Sequence, residues 1–262
     1  MSAPPLFHLR RGEAPLLVSF PHSGTYLPDD LAARLTEQAK LLPDTDWHVP
    51  VLYGFLDALG ASRIEATHSR YLVDLNRPPD DAELYPGQKK TGLVPAESFA
   101  GAALYRDGQA PSGDEIVARR KFWQPYHDAL AQELARLKAI HGSVILWDAH
   151  SIASLIPPLF DGRLPDFNLG TFDGKSCDAD IAEAAFAAAK ASGFGAVINA
   201  RFKGGHITRR YGAPKKGVHA IQLEMAQAIY MDEAPPFTYR PERATRVSTA
   251  IRVMIAAALE AL

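Results

Sequence analysis

Two short apolar runs in this chain each deliver a histidine into a turn. Leu16-Leu17-Val18-Ser19-Phe20 leads into Pro21-His22-Ser23-Gly24, and Val144-Ile145-Leu146-Trp147 leads into Asp148-Ala149-His150-Ser151. Two further runs end in groups that bind charge or move protons. Val218 to Leu223 is followed by Glu224, and Tyr71-Leu72-Val73 opens into Asp74-Leu75-Asn76-Arg77. Catalytic zinc takes three protein ligands from His, Asp or Glu and leaves a fourth position to water. His22 and His150 are read as two of these ligands. Asp46, within Pro43-Asp44-Thr45-Asp46-Trp47-His48, is read as the third, with Asp44 and His48 of the same cluster as alternatives. Asp148 is expected on the opposite side of a strand end from His150, orienting a ligand from outside the metal shell.

Glu224 is read as the general base, a carboxylate drawn out of solvent at the end of an apolar run. The competing reading is a residue favoured by the positive end of a following helix. Asn76-Arg77 and Thr208-Arg209-Arg210 are candidate carboxylate readers, because the planar guanidinium fork grips a carboxylate bidentately and suits a small diacid. Tyr126-His127 is read as packing within a helix. Cys177 has no basic neighbour to activate it as a nucleophile. Ser23 and Ser151 stand beside the histidines, but no G-x-S-x-G elbow supports a serine hydrolase.

Short apolar runs bounded by turns read as strands buried on both faces of a parallel sheet. In such sheets ligands bind just beyond the carboxyl ends of the strands, which brings the four run ends to one crevice. The expected strands are Leu16 to Phe20, the pair Ser62 to Thr67 and Tyr71 to Leu75, the run to Trp147, Phe167 to Thr171, Ala196 to Ala200 and the Val218 run. Surface or packing helices are expected from Asp29 to Leu42 and from Val49 to Leu59 before Gly60. Ser112-Gly113-Asp114-Glu115 has the form of a capping box and announces a helix to about Ile140. Asp178 caps an alanine-rich helix ending at Gly193, and Pro241 opens a last helix to Leu262. Arg77 to Pro111 reads as a covering loop held by Leu84, Tyr85, Leu93, Val94, Phe99 and Tyr105, and Lys203 to Gly217 as a glycine-rich basic loop. Strand-helix alternation gives a three-layer α/β/α fold, mostly parallel, in one domain spanning residues 1–262.

Of the 262 residues 47% are hydrophobic and 22% charged, the proportions of a globular domain, and the formal net charge of −2 gives no basic face for nucleic acid or acidic lipid. A lone cysteine leaves no intramolecular disulfide and suits a reducing compartment. With no signal-peptide core near the start and no membrane-length apolar run, a soluble cytoplasmic protein with a small-molecule substrate is expected. The sequence carries no signal for an oligomeric state.

Taken together and in order, Pro21-His22-Ser23-Gly24, Asp44-Thr45-Asp46-Trp47-His48, Ser69-Arg70-Tyr71-Leu72-Val73-Asp74-Leu75-Asn76-Arg77-Pro78, Asp148-Ala149-His150-Ser151-Ile152, Gly205-His206-Ile207-Thr208-Arg209 and Gln222-Leu223-Glu224 resemble the N-formylglutamate amidohydrolases (N-formylglutamate deformylases). The resemblance runs from about Pro15 to Tyr230. It implies a bacterial enzyme of histidine degradation that hydrolyses N-formyl-L-glutamate to formate and L-glutamate, on a mixed sheet like that of the zinc carboxypeptidases. One departure stands out. Where the wider zinc-peptidase pattern has H-x-x-E, His22-Ser23-Gly24-Thr25 places threonine, so a second ligand must come from elsewhere, which puts weight on Asp46. Asn76-Arg77 is similar to the carboxylate-binding Asn-Arg pair of that superfamily.

The resulting expectation is amide hydrolysis with Zn2+, or another divalent metal, on His22, Asp46 and His150. Glu224 acts as base and then acid, His206 is a candidate donor to the oxyanion, and Asn76, Arg77, Thr208 and Arg209 hold the substrate. The alternatives are a related zinc amidohydrolase for another N-acyl amino acid, a desuccinylase or deacylase, and a catalytically inactive ligand-binding protein on the same fold.

Overall fold

A computed structural model describes residues 3–82 and 91–262; Leu84 and Tyr85 of the expected covering loop lie outside the described residues. The strands are β1 (Phe7–Arg10), β2 (Leu16–Phe20), β3 (Ser62–Ala66), β4 (Val144–Ile152), β5 (Phe167–Gly170), β6 (Ala196–Ile198) and β7 (Val218–Ala226). The helices are α1 (Asp29–Ala32), α2 (Val49–Leu52), α3 (Gly113–His141), α4 (Ala179–Ala191), α5 (His206–Tyr211) and α6 (Pro241–Glu260). The strands form one seven-stranded sheet in the order β1-β3-β2-β4-β7-β5-β6. β3, β2, β4 and β7 run parallel, while β1 pairs antiparallel with β3 and β5 antiparallel with β7, so the sheet is mixed with a parallel centre.

Alternation along the central strands sorts their side chains into two cores. Leu17, Val144, Leu146 and Ala220 pack with Trp123, Tyr126, Leu130, Leu134 and Leu137 of α3. Leu16, Val18, Phe20, Ile145, Trp147, Ile221 and Leu223 face the other way, onto α2, α4 and α6. The result is the expected α/β/α layering. Ser112 caps α3 through the anticipated box: its hydroxyl accepts from the Glu115 amide, and the Glu115 carboxylate accepts from the Ser112 amide.

Several expected elements have different bounds. The Asp29 to Leu42 helix stops at Ala32, because the next stretch pairs with another loop: Leu35 bridges Tyr105, and the Thr36 amide donates to the Leu104 carbonyl. Val49 to Leu59 breaks into α2 and a separate 3-10 turn, Gly54–Asp57. Tyr71 to Leu75 is not a strand; the carbonyls of Tyr71 and Leu72 accept from the Arg119 guanidinium instead of a neighbouring strand. β1 was not expected, and α5 lies inside the anticipated glycine-rich loop. The most consequential difference concerns β4 and β7. Both continue past the expected ends, to Ile152 and Ala226, and remain paired throughout, Asp148 opposite Gln222 and His150 opposite Glu224. No described helix is long and apolar enough to cross a membrane.

Leu146, fully buried between the sheet and α3, tests this layer directly. Leu146→Ala is expected to lower the unfolding free energy by about 2–5 kcal/mol in a urea titration. An unchanged midpoint would contradict the packing described.

Candidate active site

Because β4 stays extended through Ile152, the two-residue period puts Asp148 and His150 on the face that Val144 and Leu146 begin. The expectation that Asp148 points away from His150 is therefore corrected: its Oδ2 lies 2.9 Å from His150 Nε2. The same period on β7 carries Ala220 on to Gln222 and Glu224. Beyond the reach of α3 this face is polar and opens into a cavity. Its lining includes His22, Asp46, Arg70, Asn76, Arg77 and His150, together with Gln222 and Glu224.

His22 arrives from the end of β2, and its main-chain carbonyl accepts from the Asp46 amide at 3.0 Å, tying the two loops together. The ligand atoms of His22, Asp46 and His150 lie within 4.8 Å of one another, all three residues buried. Asp46 Oδ2 is 3.7 Å from His22 Nδ1 and 3.1 Å from His150 Nδ1. Each imidazole is held from behind by a carboxylate. His22 Nε2 donates to Asp74 Oδ1 at 2.7 Å, and His150 Nε2 is ion-paired with Asp148 Oδ2 beside the Asn76 Nδ2, 3.0 Å away, so both Nδ1 atoms face Asp46. Carboxylate-backed histidines with the other ring nitrogen facing a shared point are the arrangement that orients metal ligands. Two imidazoles and one carboxylate are also a suitable donor set for a catalytic divalent cation.

The alternative ligands are engaged elsewhere. Asp44 accepts from the Tyr71 hydroxyl and the Phe99 amide, and His48 Nε2 bonds the Phe237 carbonyl. Their absence from the cluster leaves Asp46 as the carboxylate that fits.

Burial and the neighbouring Arg70 guanidinium lower the pKa of His22. His150 goes the other way: burial opposes its charge, but the Asp148 and Asp46 carboxylates outweigh it and hold the imidazolium well above the ordinary range. Burial pushes Glu224 up to about 8, with Asp46 adding to the rise and His150 opposing it. Glu224 Oε2 accepts from Gln222 Nε2 at 3.2 Å, and Gln222 Oε1 accepts from the Gly205 amide at 2.7 Å, so the base candidate is steered by the turn before α5.

Asn76 is fixed on both sides. Its Oδ1 accepts from the Ile207 amide at 2.8 Å and its Nδ2 donates to Asp148 Oδ2 at 3.3 Å. The carbonyls flanking it are clamped by α3: Trp123 Nε1 donates to the Arg77 carbonyl, and His127 Nε2 bonds that of Leu75. Gly205 is required here, since a Cβ would lie 2.4 Å from Asn76 Nδ2. Arg77 lines the cavity, braced by Thr91 and by its neighbour's carbonyl.

The remaining sequence candidates sit outside the cavity lining. The His206 ring packs against Trp123 and His127, with centroids 5.7 and 5.5 Å away. Thr208 is buried under Gly204. The Arg209 guanidinium lies over the Phe172 ring, and its Nε donates to the Gly204 carbonyl. Residues that sequence reasoning gave no role do line the site, Gln222, Phe202 and Arg201, and Phe99 of the expected covering loop joins them, with Arg70 bound to Asp74 at 2.6 Å. Gln222 was findable, because it shares the two-residue period with Glu224; no motif marks Arg201.

Asp148→Asn keeps the shape and removes the charge behind His150. It is expected to weaken divalent-cation binding by roughly 10–100-fold in competition with a chromophoric chelator. Wild-type affinity in this variant would contradict the orienting role.

Residues 14–231 match the N-formylglutamate amidohydrolase family. The chain is 54% identical over 250 residues to an N-formylglutamate deformylase from Pseudomonas aeruginosa, covering 94% of this chain and 93% of that protein. It is 52% identical over 258 residues to the enzyme of the same name from Pseudomonas putida, covering 97% and 94%. The crystal structure of N-formylglutamate amidohydrolase from Ralstonia eutropha JMP134 superposes with a TM-score of 0.82 at 26% identity, covering 96% of each chain. Similarity of this extent, carried by a family match over most of the sequence, places the chain in the N-formylglutamate amidohydrolase family.

Proposed function

We propose that this protein hydrolyses N-formyl-L-glutamate to formate and L-glutamate with a divalent cation, Zn2+, held by His22, Asp46 and His150. The observation that carries the reading is the buried juxtaposition of that donor set with Glu224, reached across the register pair His150–Glu224. The family and the names of the relatives support the substrate. When bound, the cation supplies Lewis acidity toward the formyl carbonyl and the attacking water.

The chain's own groups do the rest. Asp74 and Asp148 keep the two imidazoles turned inward. Glu224 is ionised when the site is loaded, because a nearby opposite charge favours the carboxylate. It accepts the proton of the water that attacks the formyl carbon and delivers it to the departing amine nitrogen, serving as base and then acid. Its elevated proton affinity suits the second half of that exchange, and Gln222 holds it in line. Asn76 and Arg77, one chain segment from the His150 cluster, take the substrate's α-carboxylate. Thr208 and Arg209 support the turn that carries Gly205.

Incubation with N-formyl-L-glutamate should release formate, and faster than the acetyl or succinyl analogues release their acids. Glu224→Gln should cut kcat by about 10²–10⁴ while zinc content stays normal. No formate from the wild type, or a Glu224→Gln variant with wild-type turnover, would overturn the reading.

A further inference from the structure

N-formylglutamate carries a second carboxylate at the end of two methylenes, and Arg77 accounts for one carboxylate only. Arg70, Arg77 and Arg201 are the arginines that line the cavity among the described residues. Arg70 is buried against Asp74, which also holds His22, so its charge is committed to the metal-ligand frame. Arg77 emerges beside Asn76, next to His150. Arg201 follows β6, from a different part of the chain, and its partners include a carbonyl and an aromatic ring on the cavity wall. Its Nε donates to the Leu159 carbonyl at 3.1 Å, and its guanidinium lies over the Phe202 ring, 5.5 Å from the centroid. Leu159 and Phe202 line the same cavity and pack onto the large core, and Phe202 is braced edge-on by Phe160.

This end of the cavity is thus a cation set between two fixed apolar walls. Methylenes pack on such walls, and a planar guanidinium receives a terminal carboxylate. We propose that Arg201, with Leu159 and Phe202, forms the subsite that reads the glutamate side chain: the walls hold the two methylenes and Arg201 binds the γ-carboxylate. Arg77, beside Asn76, reads the α-carboxylate. The arginine that sets side-chain specificity is then Arg201, where the sequence alone offered Arg77 and Arg209 for the two carboxylates without dividing them.

The inference rests on the deformylase reading, and its test keeps the two apart. Formate release from N-formyl-L-glutamate by the wild type checks that reading. The inference itself is checked by comparing kcat/KM for N-formyl-L-glutamate, for N-formyl-L-glutamine (side-chain charge removed) and for the α-amide of N-formyl-L-glutamate (α-charge removed). Losing one partner of a charge pair that the bound substrate buries typically weakens recognition by about 30-fold or more. The wild type should therefore prefer the diacid over each amide by roughly that factor. Arg201→Ala should lose the preference over the glutamine analogue, to within about threefold, while keeping its preference over the α-amide; Arg77→Ala should do the reverse. Arg201→Met, which keeps the aliphatic stem, gives the same readout should the alanine variant fold poorly. A folded Arg201 variant that still rejects N-formyl-L-glutamine as the wild type does would overturn the proposal.

Discussion

Buried negative charge is the constraint around which this molecule is organised. Asp46, Asp74, Asp148 and Glu224 are all withdrawn from water around two imidazoles and the Arg70 guanidinium. Removing carboxylates from water is costly unless each finds a partner, and a buried pair with one member missing is strongly destabilising. Arg70 answers Asp74, whose carboxylate stays well below the usual range because Arg70 and His22 outweigh the burial that opposes ionisation. Asp148 and Asp46 instead hold a proton on His150. A dication taking the place of that proton satisfies the same carboxylates with more charge, so the electrostatics around His150 suit a metal. Burial pushes the Glu224 carboxyl up to about 8, only partly offset by His150 and Arg70.

The sheet makes that concentration of charge possible. Parallel strands buried on both faces leave no room for charge along their length, so polar side chains can collect only where helix cover stops. On the β4–β7 pair the apolar residues Val144, Leu146 and Ala220 give way to Asp148, His150, Gln222 and Glu224 on one continuous face. α3 packs under the apolar part, and its Trp123 and His127 reach up to clamp the Asn76 segment over the polar part. The cavity is therefore roofed by short, irregular segments and floored by rigid strands. His150 and Glu224 sit on the rigid strands, while His22, Asp46 and the proposed carboxylate readers Asn76 and Arg77 come from the loops.

Much of this was readable in the residues. Apolar runs leading to His22, His150 and Glu224 located β2, β4 and β7, and the Ser112 box placed the start of α3. Tyr71 to Leu75 misled because its apolar period was right but its carbonyls were spoken for by Arg119, a contact 47 residues or more away in sequence. The strand ends of β4 and β7 were placed too early for a related reason. Polar residues normally signal a turn, but here each strand supplies hydrogen-bond partners to the other, and the polar side chains face a site. Arg201 shares that invisibility, since only the folded chain brings it to a wall of the cavity. Asp46 was distinguishable from Asp44 and His48 only once their outside partners, Tyr71, Phe99 and Phe237, were in place.

The central claim, that one cation held by His22, Asp46 and His150 is required for hydrolysis, is tested most directly by titrating zinc into rigorously chelated enzyme while following formate release. Activity should be lost on chelation and return linearly to a break at one zinc per chain, and Asp46→Ala should fail to regain it. Full activity in metal-free enzyme, or recovery by Asp46→Ala with the wild-type titration curve, would contradict the account.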